Sequence, residues 1–204
     1  MIREAHLNDL NNIAELHMQS FENHFLPKLG LKLLSKYYEE FLDERNIFLV
    51  NIDENTNKIN GMILGTPDSA VGRNRFINKN KMQLLLRILL LCLKLDKNTW
   101  TRVFNFIKSS MFLNRNKKVN QKLNLKVLTL LSICVSNQYK GKGVSKILVE
   151  EFEQRLIENG YEGYILTVHK SNDRANKFYK KISMSIYKES DTEFGYIKQL
   201  IHNN

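Results

Sequence analysis

The chain has 204 residues, of which 43% are hydrophobic and 25% charged, with two prolines and nine glycines. This composition excludes a disordered or fibrous chain and suits one globular unit with a sizeable core. Cys92 and Cys134 lie far apart and form no CxxC, so neither a disulfide framework nor a zinc site is suggested, and a reducing compartment fits. The opening MIREAHLNDL has no apolar run of the signal-peptide kind, so a cytoplasmic protein is expected. The net charge of +10 is unevenly spread. Between Arg73 and Lys122 stand 13 Lys and Arg against one acid, Asp96, a net +12 that leaves the rest of the chain at −2. The basicity belongs to that segment, and it suggests an acidic partner.

In chain order, Met1 to Ala5 reads as a short strand. Asn8 is placed to cap a helix running to Ser20, with Leu10, Ile13, Ala14, His17 and Phe21 at helical spacing. Residues 21–25 read as a break, and Leu26 to Leu42 as a second helix. Asn46–Asp53 and Ile59–Thr66 alternate as a β-hairpin. Asp68 to Lys126 interrupts this pattern. Met82 to Leu95 is the most apolar run, yet it is short and contains Arg87 and Lys94, whereas spanning a bilayer takes about 20 apolar residues. As a helix it groups Leu84, Leu85, Ile88, Leu91, Cys92 and Leu95 on one face, with Arg87, Lys94 and Lys97 on another. Trp100, Val103, Phe104, Ile107 and Met111 extend a second amphipathic stretch, and Asn114 to Asn124 form a polar linker.

Leu125 to Val135 is apolar at nearly every position, as in a central strand buried on both faces. A helix over Val144–Asn159 ends at Gly160. A strand (Tyr164–His169), a helix (Asn172–Ile182) and two closing strands (Met184–Lys188 and Glu193–Leu200) follow. The expectation is a single mixed α/β domain over 1–204, with an open, largely antiparallel twisted sheet flanked by helices and a basic helical insertion at about 70–124.

Between the central strand and its following helix lies Gln138-Tyr139-Lys140-Gly141-Lys142-Gly143-Val144-Ser145. Glycines in a basic turn that opens a helix present backbone N–H groups and the positive end of the helix dipole, which together suit a pyrophosphate. The spacing is neither that of a P-loop nor that of a dinucleotide fingerprint, whose third glycine is replaced by Lys146.

On these residues the chain resembles the GNAT superfamily of acetyl-CoA-dependent N-acetyltransferases. The family's [RQ]-x-x-G-x-[GA] motif falls on Lys140 to Ser145, with Lys140 in place of Arg or Gln and Ser145 in place of Gly or Ala. Its N-x-x-A-x-x-F-Y-x-K-x-G-F segment falls on Asn172, Ala175, Phe178, Tyr179 and Lys181, with Ser183 and Met184 replacing the final Gly-Phe. The resemblance covers roughly residues 1–67 and 125–200. It implies direct transfer of an acetyl group from acetyl-CoA to an amine, without a metal. The backbone of Lys140, Gly141, Lys142, Gly143, Val144 and Ser145 would hold the pyrophosphate. The strand Ile133-Cys134-Val135 would pair with the pantetheine arm and polarise the thioester carbonyl. Asn172 would bond the arm from the other side, beside Ala175 and Phe178. Tyr179 would protonate the leaving sulfur, and its alternative role is that of a packed core tyrosine.

His169 is the candidate base, or else a surface histidine at a strand end. Glu22 and His24, in the 21–25 break, and Ser132, on the central strand, are candidate acceptor contacts. The alternatives are a solvated Glu22 and a Ser132 hydroxyl bonded to backbone. The basic segment has several readings: packing on the sheet or on a second copy in a homodimer, a lid over a phosphorylated acceptor, or peripheral contact with anionic lipid through 75–113. Nucleic acid is disfavoured because no recognition motif is present. The N-terminal half is similar to GNAT proteins of surface-polysaccharide synthesis, which implies an amino-sugar acceptor. The competing functional readings are acetylation of a protein amine, and a binding module that senses acetyl-CoA or docks on membranes without turnover.

Overall fold

The computed structural model describes residues 1–22, 24–94 and 125–200. Its elements are β1 (Ile2–Glu4), α1 (Leu10–Ser20), α2 (Phe25–Lys28), α3 (Leu31–Glu39), β2 (Ile47–Asp53), β3 (Lys58–Thr66), α4 (Ser69–Lys79) and α5 (Lys81–Lys94). They continue with β4 (Val127–Val135), α6 (Val144–Glu158), β5 (Gly163–His169), α7 (Asp173–Lys181), β6 (Ser185–Glu189) and β7 (Glu193–Gln199). The strands form one seven-stranded sheet in the order β1-β2-β3-β4-β5-β7-β6. Every pairing is antiparallel except β4–β5. That exception follows from α6, a crossover helix that returns the chain to the same edge from which β4 started.

Two apolar layers cover the sheet. On one face α1, α3 and α4 pack on β2 and β3 around Ile13, Leu34, Tyr38, Phe41, Met62, Leu64 and Phe76. On the other, α6 and α7 cover the sheet through Val144, Leu148, Phe152, Tyr179 and Met184. Phe152 reaches full burial because β3 has Gly65 beneath it. A Cβ at Gly65 would stand 2.5 Å from Phe152 Cε2.

Four local expectations are corrected. Asn8 does not cap α1: a 3₁₀ turn over Leu7–Asp9 precedes the helix. Asp9 accepts the His6 N–H at 2.8 Å and both Arg3 nitrogens at 2.6 and 2.9 Å, so it holds that turn against β1. The helix expected over Leu26–Leu42 is broken into α2 and α3 at Gly30, whose φ of 86° is a left-handed conformation. On α5 the packed side is Leu84 and Ile88, while Leu85 is 63% exposed. Arg87 belongs to that packed side, not to a free basic face, because its Nε donates to Lys28 O at 3.0 Å across from α2. Finally, β4 is central, but its stretch Leu131–Ile133 is only half-buried. The helical insertion begins at Ser69, and its expected second stretch and linker lie outside the described residues.

Candidate active site

The parallel β4–β5 pairing is short. It runs from Val127↔Gly163 to Thr129↔Ile165. Beyond it, β4 pairs only with β3 and β5 only with β7, so their C-terminal halves separate into a wedge. Ser136 donates its N–H to Asn60 O at 2.8 Å, toward β3. Polar groups alternate along a strand, so Cys134 also faces β3, and the backbone groups of Ile133 and Val135 turn into the wedge without a strand partner. Of the expected triplet, Ile133 and Val135 therefore offer hydrogen bonds there and Cys134 does not. Burial pushes the Cys134 thiol up to about 12, which leaves it unreactive.

At the mouth of the wedge the 136–143 turn leads into α6. Gly141 and Gly143 have φ of 81° and 85°, and a Cβ on either would meet nothing within 4 Å. Among the described residues, the N–H groups of Gly141, Gly143, Val144 and Ser145 make no backbone hydrogen bond, and no side chain caps α6. Four N–H donors without backbone partners, on a turn exposed at Gly141 and Gly143 and at the positive end of a fifteen-residue helix, fit a pyrophosphate. The turn is anchored from below: Tyr139 donates its hydroxyl proton to Asp53 Oδ2 at 2.8 Å. That bond, with those from Thr56 and Asn55, holds the Asp53 carboxyl below the usual range.

The other side of the mouth is the start of α7. Asn172 caps this helix, its Oδ1 accepting the Ala175 N–H at 3.2 Å. The capping bond uses the carbonyl and leaves the amide donors of this exposed side chain outward. Tyr179 lies two turns along α7 and is 6% exposed. Its ring tilts against Tyr196 at 5.7 Å and meets Phe178 edge-on at 5.4 Å. Burial raises the phenol well above its ordinary range, so it keeps its proton at neutral pH. His169 stands at the exposed end of β5, where its Nδ1 shares a 3.0 Å hydrogen bond with Ser171 Oγ. Asn172 and Tyr179 thus belong to the cap and body of one helix, and His169 stands at the strand end just before it, its carbonyl accepting the Asn172 N–H at 2.9 Å.

The sequence reading missed the residue that sets α7 against the wedge. Asn176 is buried. Its Nδ2 donates to the carbonyls of His169 and Lys170, each at 3.1 Å, and its Oδ1 accepts from the Tyr196 hydroxyl at 3.1 Å. An asparagine on an apolar helix face, one turn before Tyr179, was the available signal.

The third wall is made by α1, which packs across β3 and β4. Ser132 is half-buried there, with its side chain against the Tyr38 hydroxyl. Tyr38 in turn shares a 2.6 Å hydrogen bond with His17 Nδ1. His24 lies before α2, edge-on to Phe21 at 5.3 Å, and Glu22 is exposed to solvent, as the alternative reading of this residue expected. One surface hollow, lined by Ala5, His6, Leu7, Asn8, Glu39 and Leu42, lies near β1 and contains none of these groups.

The acetyltransferase (GNAT) family model matches residues 111–184, the span that holds β4, the glycine turn, α6, β5 and α7. Over that span the chain is similar to GNAT acetyltransferases. Its fold agrees with solved GNAT structures along almost the whole length. The ribosomal-protein-S18-alanine N-acetyltransferase from Escherichia coli superposes with a TM-score of 0.58 at 12% identity, over 100% of this chain and 97% of that one. The PaiA N-acetyltransferase from Thermoplasma acidophilum in complex with coenzyme A gives 0.57 at 14% identity, over 98% of each chain. Aminoglycoside 6'-acetyltransferase type Ii gives 0.61 at 12% identity, over 100% and 99%. No curated protein matches in sequence. At these identities the solved structures bear on fold, and the two motifs by which the chain resembles that family now have a geometry.

Proposed function

We propose that this chain is an acetyl-CoA-dependent N-acetyltransferase that acts on a primary amine, an amino sugar of surface-polysaccharide synthesis being the acceptor we favour. The observation that carries the reading is the wedge itself: an unpaired strand edge, an open donor turn at one side of its mouth and a buried phenol on the helix at the other. Acetyl-CoA supplies a thioester; the amine forms the new C–N bond as the C–S bond breaks. The turn at Gly141–Ser145 would hold the pyrophosphate, and Lys140 and Lys142 would add charge beside it. The Ile133 and Val135 N–H groups would bind the arm and stabilise charge developing on the carbonyl oxygen. Asn172 would donate to the arm through its amide, at the start of the helix that carries Ala175 and Phe178. Tyr179 would deliver its retained proton to the departing sulfur, and His169 would stand at the rim as a group able to take a proton from the amine.

The test is thiol release from acetyl-CoA with a panel of amines, alongside calorimetric binding of coenzyme A. Tyr179→Phe is expected to lower kcat by about 100-fold or more with the coenzyme A Kd unchanged. Full activity in this variant removes Tyr179 as the acid. Coenzyme A binding without turnover of any amine favours a sensing module instead.

A second reading concerns α5. Met82, Leu85, Leu86, Leu89 and Leu90 are each more than half exposed, on a helix inside the basic 73–122 segment. No helix among the described residues is long and apolar enough to cross a membrane. An apolar stripe flanked by positive charge suits the surface of an anionic bilayer. Sedimentation with phosphatidylglycerol vesicles should retain the chain at low salt and release it as salt rises. Leu86→Glu combined with Leu89→Glu should abolish retention. Equal retention of this variant rules α5 out as the contact.

A further inference from the structure

The transferase reading leaves one buried group unused. His17, on the last turns of α1, is 6% exposed. Its Nδ1 is taken by Tyr38, yet its Nε2 is buried with no hydrogen-bond partner. One turn further on, Ser20 Oγ is buried without a well-aligned bond and lies against the Cys134 thiol. Buried polar atoms are nearly always paired, and each exception asks for an explanation. Here two stand at i and i+3 of one helix, on the face that meets β4. They lie alongside Ser132 and Cys134, the neighbours of Ile133, whose N–H opens into the wedge.

The imidazole is also held rigidly. Phe21 tilts against it at 4.6 Å, Tyr38 meets it edge-on at 5.6 Å, and the Ser132 side chain lies against the Tyr38 hydroxyl. The rings against it are Phe21 and Tyr38, with His24 nearby, and among the described residues His17 makes no ion pair with a carboxylate. Burial, with His24 nearby, lowers the ring to about 4, so it is neutral at working pH. A neutral donor or acceptor beside a hydroxyl, in a wall without counter-charge, suits a neutral polar group of a ligand. A second ammonium or a carboxylate placed there would lose its hydration without compensation.

We infer that His17 Nε2, with Ser20 Oγ beside it, is a contact for the acceptor, and that the acceptor is an amine flanked by hydroxyl groups. Tyr38 and Ser132 are positioning residues, which fix the ring's tautomer and orientation. The inference rests on the transferase reading and names the substrate class for the same site.

Heteronuclear NMR of the imidazole nitrogens in the full chain provides a direct test. Glucosamine, cyclohexylamine and spermidine serve as probes, with coenzyme A bound. The His17 Nε2 signal should move with glucosamine and stay with the other two. In thiol-release assays His17→Phe should raise the KM for glucosamine about tenfold or more, with kcat little changed and the coenzyme A Kd intact. His17→Gln, which keeps a side-chain polar group in the pocket, should recover part of that loss, and Tyr38→Phe should raise KM with no loss of ring packing. An unmoved Nε2 signal, as for a ring paired to a structural water, overturns the inference. So does equal movement with cyclohexylamine. Coenzyme A binding separates the levels: if the wild-type chain fails to bind it, the transferase reading falls, whereas binding with an unmoved imidazole removes only this contact.

Discussion

At the scale of single residues, two buried rings set the chemistry by what burial does to their protons. Tyr179 keeps its proton because desolvation disfavours the phenolate, and His17 stays uncharged because desolvation disfavours the imidazolium. The second effect has a measurable sign. Burial lowers the folded His17 imidazole to about 4, below its ordinary 6.5. The unfolded chain therefore binds the extra proton first as pH falls. The His17 contribution is fully present above about pH 6.5 and is lost progressively as pH drops toward 4. Scaled from the shift, the loss is at most about 3 kcal/mol. Denaturant titrations across that window should show wild-type stability falling with acid, and His17→Gln should remove this component. An unchanged slope would mean that the ring binds its proton equally well in the folded and unfolded chain.

Among secondary elements, α7 shows how a substitution can be absorbed. Ser183 stands where the family segment has glycine, and it adopts a φ of 63°. The helix still closes as a glycine would close it: Ser183 N–H bonds to Lys180 O and Met184 N–H to Tyr179 O, each at 3.1 Å. Met184 then packs into the α6–α7 core in place of the family's Phe. The departure noted in the sequence left the turn intact and cost a side chain in left-handed backbone, about 1 kcal/mol. Ser183→Gly should raise stability by roughly 0.5–1 kcal/mol, read by thermal or denaturant unfolding, with transferase rates unchanged. A destabilised variant would show that the serine makes compensating contacts.

Over the whole molecule, the wedge depends on a tightly closed sheet beneath it. α6 can sit close to β3 only because Gly65 leaves room for the Phe152 ring, whose edge meets Tyr164 at 5.4 Å. Tyr164 is in the first part of β5, the part that pairs with β4. Its hydroxyl donates to Glu153, which also binds Lys198 of β7. Gly65→Ala should push Phe152 out of place and cost about 1–3 kcal/mol, a fall of roughly 2–4 °C in Tm per kcal/mol. If Tm stays put, the β3–α6 layer has slack that the fully buried Phe152 does not suggest.

Local sequence was enough to determine the order of the strands, the glycine turn and the α7 segment with Tyr179. These rest on period-2 and helical apolar spacing and on glycines at φ values other residues avoid, all of which are written in adjacent residues. Tertiary structure alone decided the rest. The β7 strand enters the sheet between β5 and β6. The β4–β5 pairing ends at Thr129 and opens the wedge. Arg87 turns inward to α2, and Asn176 pins α7 to the end of β5. His17 read as one more position on an apolar helix face. It became a site candidate only when α1 was laid across β4 and left its Nε2 buried and unpaired. Hydrogen-bond partners distant in sequence are set by packing, and no local pattern encodes which buried polar atom will be left without one.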